Sequence, residues 1–264
     1  MGHHIESSTI SASQALVILS FLNGWRPDLI NNAPVIGQWS IAVEMMFYVL
    51  LACIFTHVLT FRRAVCAWWG SLILFFFSYP LAVHLASLEG FSGDPGLVRK
   101  FAFWWFPTQL PIFVGGIGLY LILAESRSLW RSVLPYLPGV LLNVIVHRYY
   151  HEVPLIPTIG VLGIMFVALM ARFSPLLIVN RFTAYLGKIS FSAYLCHPPI
   201  LVPLIIICES SNLTNPVIKF AIVSVVTLIC VCIMSHLMWK FIERPGQRFG
   251  KLIINHLESR TKLP

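Results

Sequence analysis

Charge is what this chain has least of. Only 11% of its 264 residues are Asp, Glu, Lys or Arg, less than half the share of about 25% usual in soluble domains. With 58% hydrophobic residues and a mean hydropathy of +0.82, the composition excludes an ordinary water-soluble domain. Cys-x-x-Cys spacing is missing as well. The six cysteines are Cys53, Cys66, Cys196, Cys208, Cys230 and Cys232, and most fall inside apolar runs, where Cys packs as a small hydrophobe. Neither a disulfide framework nor a structural zinc is inferred. There is no Gly-rich phosphate loop, internal repeat or low-complexity tract. The 18 Lys and Arg outnumber the 10 Asp and Glu. In a soluble protein that excess would suggest nucleic acid, but among long apolar runs it reads as a topology signal, and no nucleic-acid partner is expected.

What the chain does have is helical length in apolar runs. The hydropathy pattern predicts an all-α polytopic helical bundle with about seven transmembrane helices, at 39–60, 64–88, 108–124, 132–146, 153–171, 183–207 and 217–240. The stretch "ASQALVILSFL" (12–22) is too short to span. It lacks the basic start and small-residue cleavage site of a signal peptide, so a re-entrant or interfacial segment is expected. The fourth span, "SVLPYLPGVLLNVIV", has two prolines and about 22 Å of helix. Charge supports keeping it. With seven spans and the N-terminus outside, the inner side holds Arg62, Arg63, Arg127, Arg131, Arg172, Arg181, Lys188 and the basic residues from Lys240 onward, while the outer side holds Arg26, Arg99, Lys100, Arg148 and Lys219. Deleting that span reverses the balance and violates the positive-inside rule.

Three segments follow: an extracytoplasmic N-terminal segment 1–38, a transmembrane domain 39–241, and a cytoplasmic basic amphipathic tail 242–264. "RKFAFWWFP" (99–107) suits an outer aromatic belt. In the tail, Phe249, Leu252, Ile253, His256 and Leu257 repeat at helical spacing beside Arg248, Lys251 and Arg260. An amphipathic helix on the inner leaflet is expected, with a frayed tail as the alternative. The localisation implied is the cell inner (plasma) membrane, multi-pass, with the C-terminus cytoplasmic and membrane lipid as a partner. Nothing in the sequence fixes the oligomeric state.

Polar groups inside the spans are the candidates for chemistry. In "GQWSIAVEMMFYVL" (37–50), Glu44 lies about 7.5 Å deeper than Trp39 along a helix. Ser40, Glu44, Phe47 and Tyr48 share one face. A carboxylate there costs about 2.5–3.5 kcal/mol unless paired or hydrated, and is by default a functional-site hypothesis. The alternative is a structural hydrogen bond or snorkelling. In "YLGKISFSAYLCHPPI" (185–200), Ser190, Tyr194 and His197 share a face, and His197 falls near the midplane. Pro198 and Pro199 offer no N–H to the carbonyls of Tyr194 and Leu195, so the helix is expected to kink or break at His197. Such a break is tolerated only where protein buries it or where it lines a wet cavity. A histidine with a structural hydrogen bond beside a packing kink is the other reading. Glu243 and Arg244 in "FIERPGQRFGK" read as a surface ion pair and an inner-side anchor rather than catalysts. "HRYYHE" sets His147 and His151 at i, i+4 beside Glu152, but no third ligand is evident and no metal is expected.

"WSIAVEMMFY" (39–48), "LGKISFSAYLCHPP" (186–199) and "IERP" (242–245) together resemble, in order, the signatures of the membrane acyltransferase-3 family. The resemblance covers about residues 30 to 250. It implies an O-acyltransferase that moves an acyl group, often acetyl, from acyl-CoA to a hydroxyl of a cell-envelope sugar or lipid-linked acceptor. Acyl-CoA would be a substrate, with no cofactor bound permanently. By resemblance Glu44 and His197 would be catalytic, with Glu44 orienting the base or acceptor. Trp39, Ser40, Tyr48, Ser190 and Tyr194 would line the substrate pocket, and Pro198, Pro199, Glu243 and Arg244 would be structural. Glu44 and His197 are expected to face a common cavity, open to the acceptor from outside and to the donor from the basic inner side. The family's first span carries an arginine and, about ten residues later, a histidine. Nothing here matches that pair: His3 and His4 follow no arginine. Phe191 also stands where the family usually has Tyr. The resemblance therefore implies an N-terminally truncated relative that transfers little alone. A transporter-like protein, since such proteins break helices at the midplane, and a non-catalytic membrane partner are the alternatives.

Overall fold

In hydrocarbon a chain must pair its own backbone polar groups, and a helix does so within a single segment. The computed structural model describes residues 11–31, 37–54, 57–58, 60–88, 94–176, 178–211 and 215–261, and among them there are helices and no strand. His3 and His4 lie outside the described residues. Helices long and apolar enough to cross a membrane cover Phe61–Leu88, Pro95–Ala124, Leu129–Tyr149, Ile156–Phe173, Arg181–Glu209 and Pro216–His256. These match the last six expected spans. The first expected span is the shorter apolar helix Gln38–Ile54, 17 residues long, at the lower edge of spanning length. The chain divides into two compact units, one mainly of residues up to Pro175 and one mainly from Leu176 onward.

The first unit opens with α1 (Ala12–Leu19), capped by Ser11 and Gln14 in a reciprocal pair. A 3-10 turn, Leu22–Trp25, and a short α2 (Pro27–Asn31) follow. Eight residues of α1 reach about 12 Å, too short to cross. The long helices are α3 (Gln38–Ile54), α4 (Phe61–Leu88), α6 (Phe106–Ala124) and α9 (Ile156–Phe173). α6 packs against α4, α9 and α3. Val43, Trp68, Leu72, Phe75, Val114, Tyr136 and Val161 belong to its core.

Residues 99–107 do more than decorate an interface. Asp94 accepts from the N–H groups of Gly96 and Leu97 and starts α5 (Pro95–Trp104). Val98, Phe101, Ala102 and Trp105, at i, i+3, i+4 and i+7, bury against Tyr79, Ala82 and Ala86. The helix stops at Trp105, which is extended (φ −61°, ψ 134°). The side chains of Thr108 and Gln109 bond carbonyls on the Ala102–Trp105 turn, which lowers the cost of the interruption.

The doubtful fourth span is built from α7 (Leu129–Val133), a 3-10 turn at Leu134–Tyr136, and α8 (Leu137–Tyr149). Its prolines, Pro135 and Pro138, sit in first turns, where a missing N–H costs little. Gly139 lets α8 approach α4: a Cβ there would lie 2.7 Å from the Trp68 ring. Asn143, fully buried, locks α8 to the start of α9. Its amide donates to the Pro154 carbonyl, and its oxygen accepts from the Thr158 hydroxyl at 2.8 Å.

The second unit consists of α10 (Arg181–Glu209), α11 (Pro216–Met238), a π-helical turn at Trp239–Glu243, and α12 (Arg244–Thr261). Asn180 caps α10 through the N–H groups of Phe182 and Thr183. A kink or a break was expected at His197, and of the two a break does not occur: α10 continues as a helix through Pro198, Pro199 and Pro203. His197 Nδ1 lies 2.7 Å from the Tyr194 carbonyl, the group that Pro198 cannot serve. The imidazole replaces the missing backbone donor, and the helix continues. At the far end the chain passes from α11 into α12 without interruption. The wider π turn sits where Pro245 removes its bond to the Phe241 carbonyl. Phe249, Leu252 and Ile253 in α12 are exposed.

Candidate functional site

Glu44 sits where α3 faces α6. The i, i+4 spacing brings Tyr48 beside it, and the Tyr48 hydroxyl donates to Glu44 Oε1. Glu44, Phe47, Tyr48 and Leu51 from α3 and Ile112, Phe113, Gly116, Ile117 and Tyr120 from α6 line a cavity of about 430 Å³, within the range of small-ligand sites. Phe47 stacks on Phe113 with centroids 4.6 Å apart, which stiffens one wall. Gly116 leaves room, because a Cβ there would meet nothing within 4 Å. Tyr48 is 50% exposed, so the pair is reachable from outside the protein. An ionised carboxylate offers about four lone-pair sites, and Tyr48 takes one. The cavity thus presents one acid with spare acceptor capacity among mostly apolar walls.

Trp39 and Ser40 do not line this cavity. Trp39 stacks on Trp104, with centroids 5.1 Å apart and planes within 9°. Trp25 meets Trp105 edge-on at 5.6 Å, and the Trp25 indole donates to Met46 Sδ. These contacts tie the start of α3 and the 3-10 turn to the α5–α6 junction. Ser40 is half-buried one turn before Glu44.

In the second unit the expected polar stripe is bonded to backbone. Ser190 Oγ donates to the Gly187 carbonyl at 2.9 Å. The Tyr194 hydroxyl donates to the carbonyl of Gly37, a residue that groups with this unit. The rings of Tyr194 and His197 are 5.6 Å apart. A carbonyl only accepts, so His197 Nδ1 is the donor in this contact. Glu44 belongs to the first unit and His197 to the second.

Glu243 and Arg244 depart from a simple ion pair. The Ser192 hydroxyl, on a buried residue, donates to Glu243 Oε2 at 3.0 Å, and Gln247 donates to Oε1 at 3.1 Å. Arg244 lies over the Trp239 ring at 5.6 Å. Tyr185 and His236 form a further bond at 2.7 Å. The sequence signal for Ser192–Glu243 was faint: a serine on a helix face and an acid after a span, 51 positions apart. The histidine cluster before α9 holds structure together. His147 Nδ1 bonds the Val153 carbonyl at 2.7 Å, and Glu152 pairs with Arg99 at 3.4 Å. No group of three or more His, Cys, Asp or Glu residues placed to hold a metal occurs among the described residues.

Comparison with known proteins adds one finding. The family model described as an acyltransferase domain, of the acyltransferase-3 type, matches residues 6–236. No curated protein and no solved structure matches the chain.

Proposed function

The chain belongs to the acyltransferase-3 family of membrane proteins, and from that premise we propose that it transfers an acyl group, acetyl first among them, from acyl-CoA to a hydroxyl of an envelope sugar or lipid-linked acceptor. The observation that carries this reading is the Glu44–Tyr48 pair in its cavity. Transfer joins the acceptor oxygen to the thioester carbonyl carbon, expels the coenzyme thiolate, and passes the hydroxyl proton to a base. A carboxylate with free lone pairs in an apolar wall binds and aims such a hydroxyl. Tyr48 holds the carboxylate in place, much as a positioned acid orients an imidazole in related chemistry. In the second unit, His197 holds the Tyr194 carbonyl through Nδ1 and leaves Nε2 as the ring nitrogen open to a further partner.

The transporter alternative loses its ground. It rested on a helix broken at membrane depth, and α10 is continuous.

The test is the acyl content of envelope sugars in a host lacking its own enzyme, with the chain or its Glu44→Ala form present at equal membrane levels. We expect acylation that is low for the chain alone, as the resemblance implies, and that falls by about a further 100-fold in Glu44→Ala, the lower end of what positioned acid–base groups contribute. Equal acylation by both forms would remove Glu44 from the mechanism. No acylation by either would favour the sequence expectation that the base lies in an arginine–histidine span unmatched here.

A further inference from the structure

A second hollow, at the ends of α6 and α9, plays no part in that reading. Both helices stop in tight left-handed turns. After α6, Ser126 has φ +49°, and the N–H of Arg127 returns to the Ile122 carbonyl at 3.0 Å. After α9, Ser174 has φ +40°. Helix ends of this kind usually use glycine, because a side chain is strained there. The two turns leave Arg127 and Arg172 on a cavity of about 430 Å³ with Ser126, walled by Ile122, Leu129 and Ala168 among others.

The cavity's charge is unbalanced. Arg127 gives Nε to Glu125 and stacks over Phe61 at 4.9 Å, which fixes its guanidinium. Among the described residues Arg172 has no ion-pair partner. Two guanidiniums thus face one carboxylate. Cations at helix C-termini complement the helix dipole, and that accounts for their sign. It does not account for an apolar hollow left open between them. Guanidinium forks match phosphate oxygens two at a time, and the Ala168–Ala171 face of α9 keeps the floor clear of bulk.

We propose that this cavity binds a phosphate group through its two arginines. That chemistry has two sources at a membrane: the headgroup of an anionic lipid, and the phosphorylated part of an acyl-CoA. The site shares no residue with the Glu44 cavity, so it stands or falls separately.

The test uses the full chain, purified, with two probes. Coenzyme A is titrated in solution, and lipid is offered in nanodiscs of phosphatidylcholine with or without phosphatidylglycerol. The chain is compared with its Arg172→Gln and Ala171→Leu forms, and with Arg131→Gln, which removes a nearby charge outside the cavity. Thermal melting checks that each is folded. We expect saturable binding of one probe, weakened about tenfold or more by Arg172→Gln, as the loss of a charged hydrogen bond implies. Ala171→Leu should weaken it too, since the arginines remain but the floor fills. Arg131→Gln should change it less than about twofold. Binding of coenzyme A alone assigns the cavity to the donor, and dependence on phosphatidylglycerol alone assigns it to lipid. Saturable binding of neither probe, or equal loss in Arg131→Gln and Arg172→Gln, would overturn the proposal.

Discussion

Tyr48 holds one oxygen of Glu44, and Tyr48→Phe removes that hydroxyl while leaving the cavity's shape intact. We expect kcat for acyl transfer to fall about tenfold, in line with one hydrogen bond to a charged group, with little change in thermal stability. His197 separates two roles in one ring. An Asn side chain can still reach the Tyr194 carbonyl as donor, whereas Ala cannot. His197→Ala should therefore cost about 1–3 kcal/mol by leaving that carbonyl unserved, and His197→Asn much less, as read by thermal unfolding in detergent. The Glu44–Tyr48 contact was legible because i, i+4 positions on a helix face must meet. The unbroken helix at His197 was not. The rules for proline state which carbonyls lose a partner, but not that a neighbouring imidazole replaces it.

At the scale of elements, two glycines make opposite forecasts. Gly139→Ala would press a methyl against Trp68, so α8 should be forced off α4 at a cost of about 1–3 kcal/mol. Gly116→Leu meets open space and gains helix propensity of up to about 1 kcal/mol, so stability should hold or rise. Its side chain would fill the Glu44 cavity, and transfer should drop sharply. Unfolding midpoints and acylation, measured on the same two forms, check both. The spanning helices were legible from hydropathy alone, although the first ends at Ile54 rather than 60, and the helices around the third and last extend to Pro95 and His256. α5 was hidden because Arg99, Lys100 and paired tryptophans look like an interface, although Val98, Phe101 and Ala102 carry a helical stripe. The π turn before Pro245 left no pattern to read, since it depends on where the chain absorbs a lost hydrogen bond.

For the whole molecule, we propose from the distribution of Lys and Arg that the N-terminus lies outside and the C-terminus in the cytoplasm. A cytoplasmic reporter fused after Pro264 should be active, and a reporter that needs export should be silent. The reverse pattern would remove one span from the count. Helical class and membrane residence could be read from composition, because apolar length and scarce charge leave few other options. The division near Pro175 could not, because it reflects which distant side chains touch, such as Tyr185 with His236 and Ser192 with Glu243.

The central claim is that the Glu44 cavity carries acyl transfer. Its most direct test is the turnover of purified chain in proteoliposomes, with labelled acetyl-CoA and an envelope glycan acceptor, compared with Glu44→Gln. That change keeps the shape and the Tyr48 contact but removes the charge. The account predicts a kcat about 100-fold lower with an unchanged melting temperature. An unchanged kcat in a folded Glu44→Gln protein would contradict it.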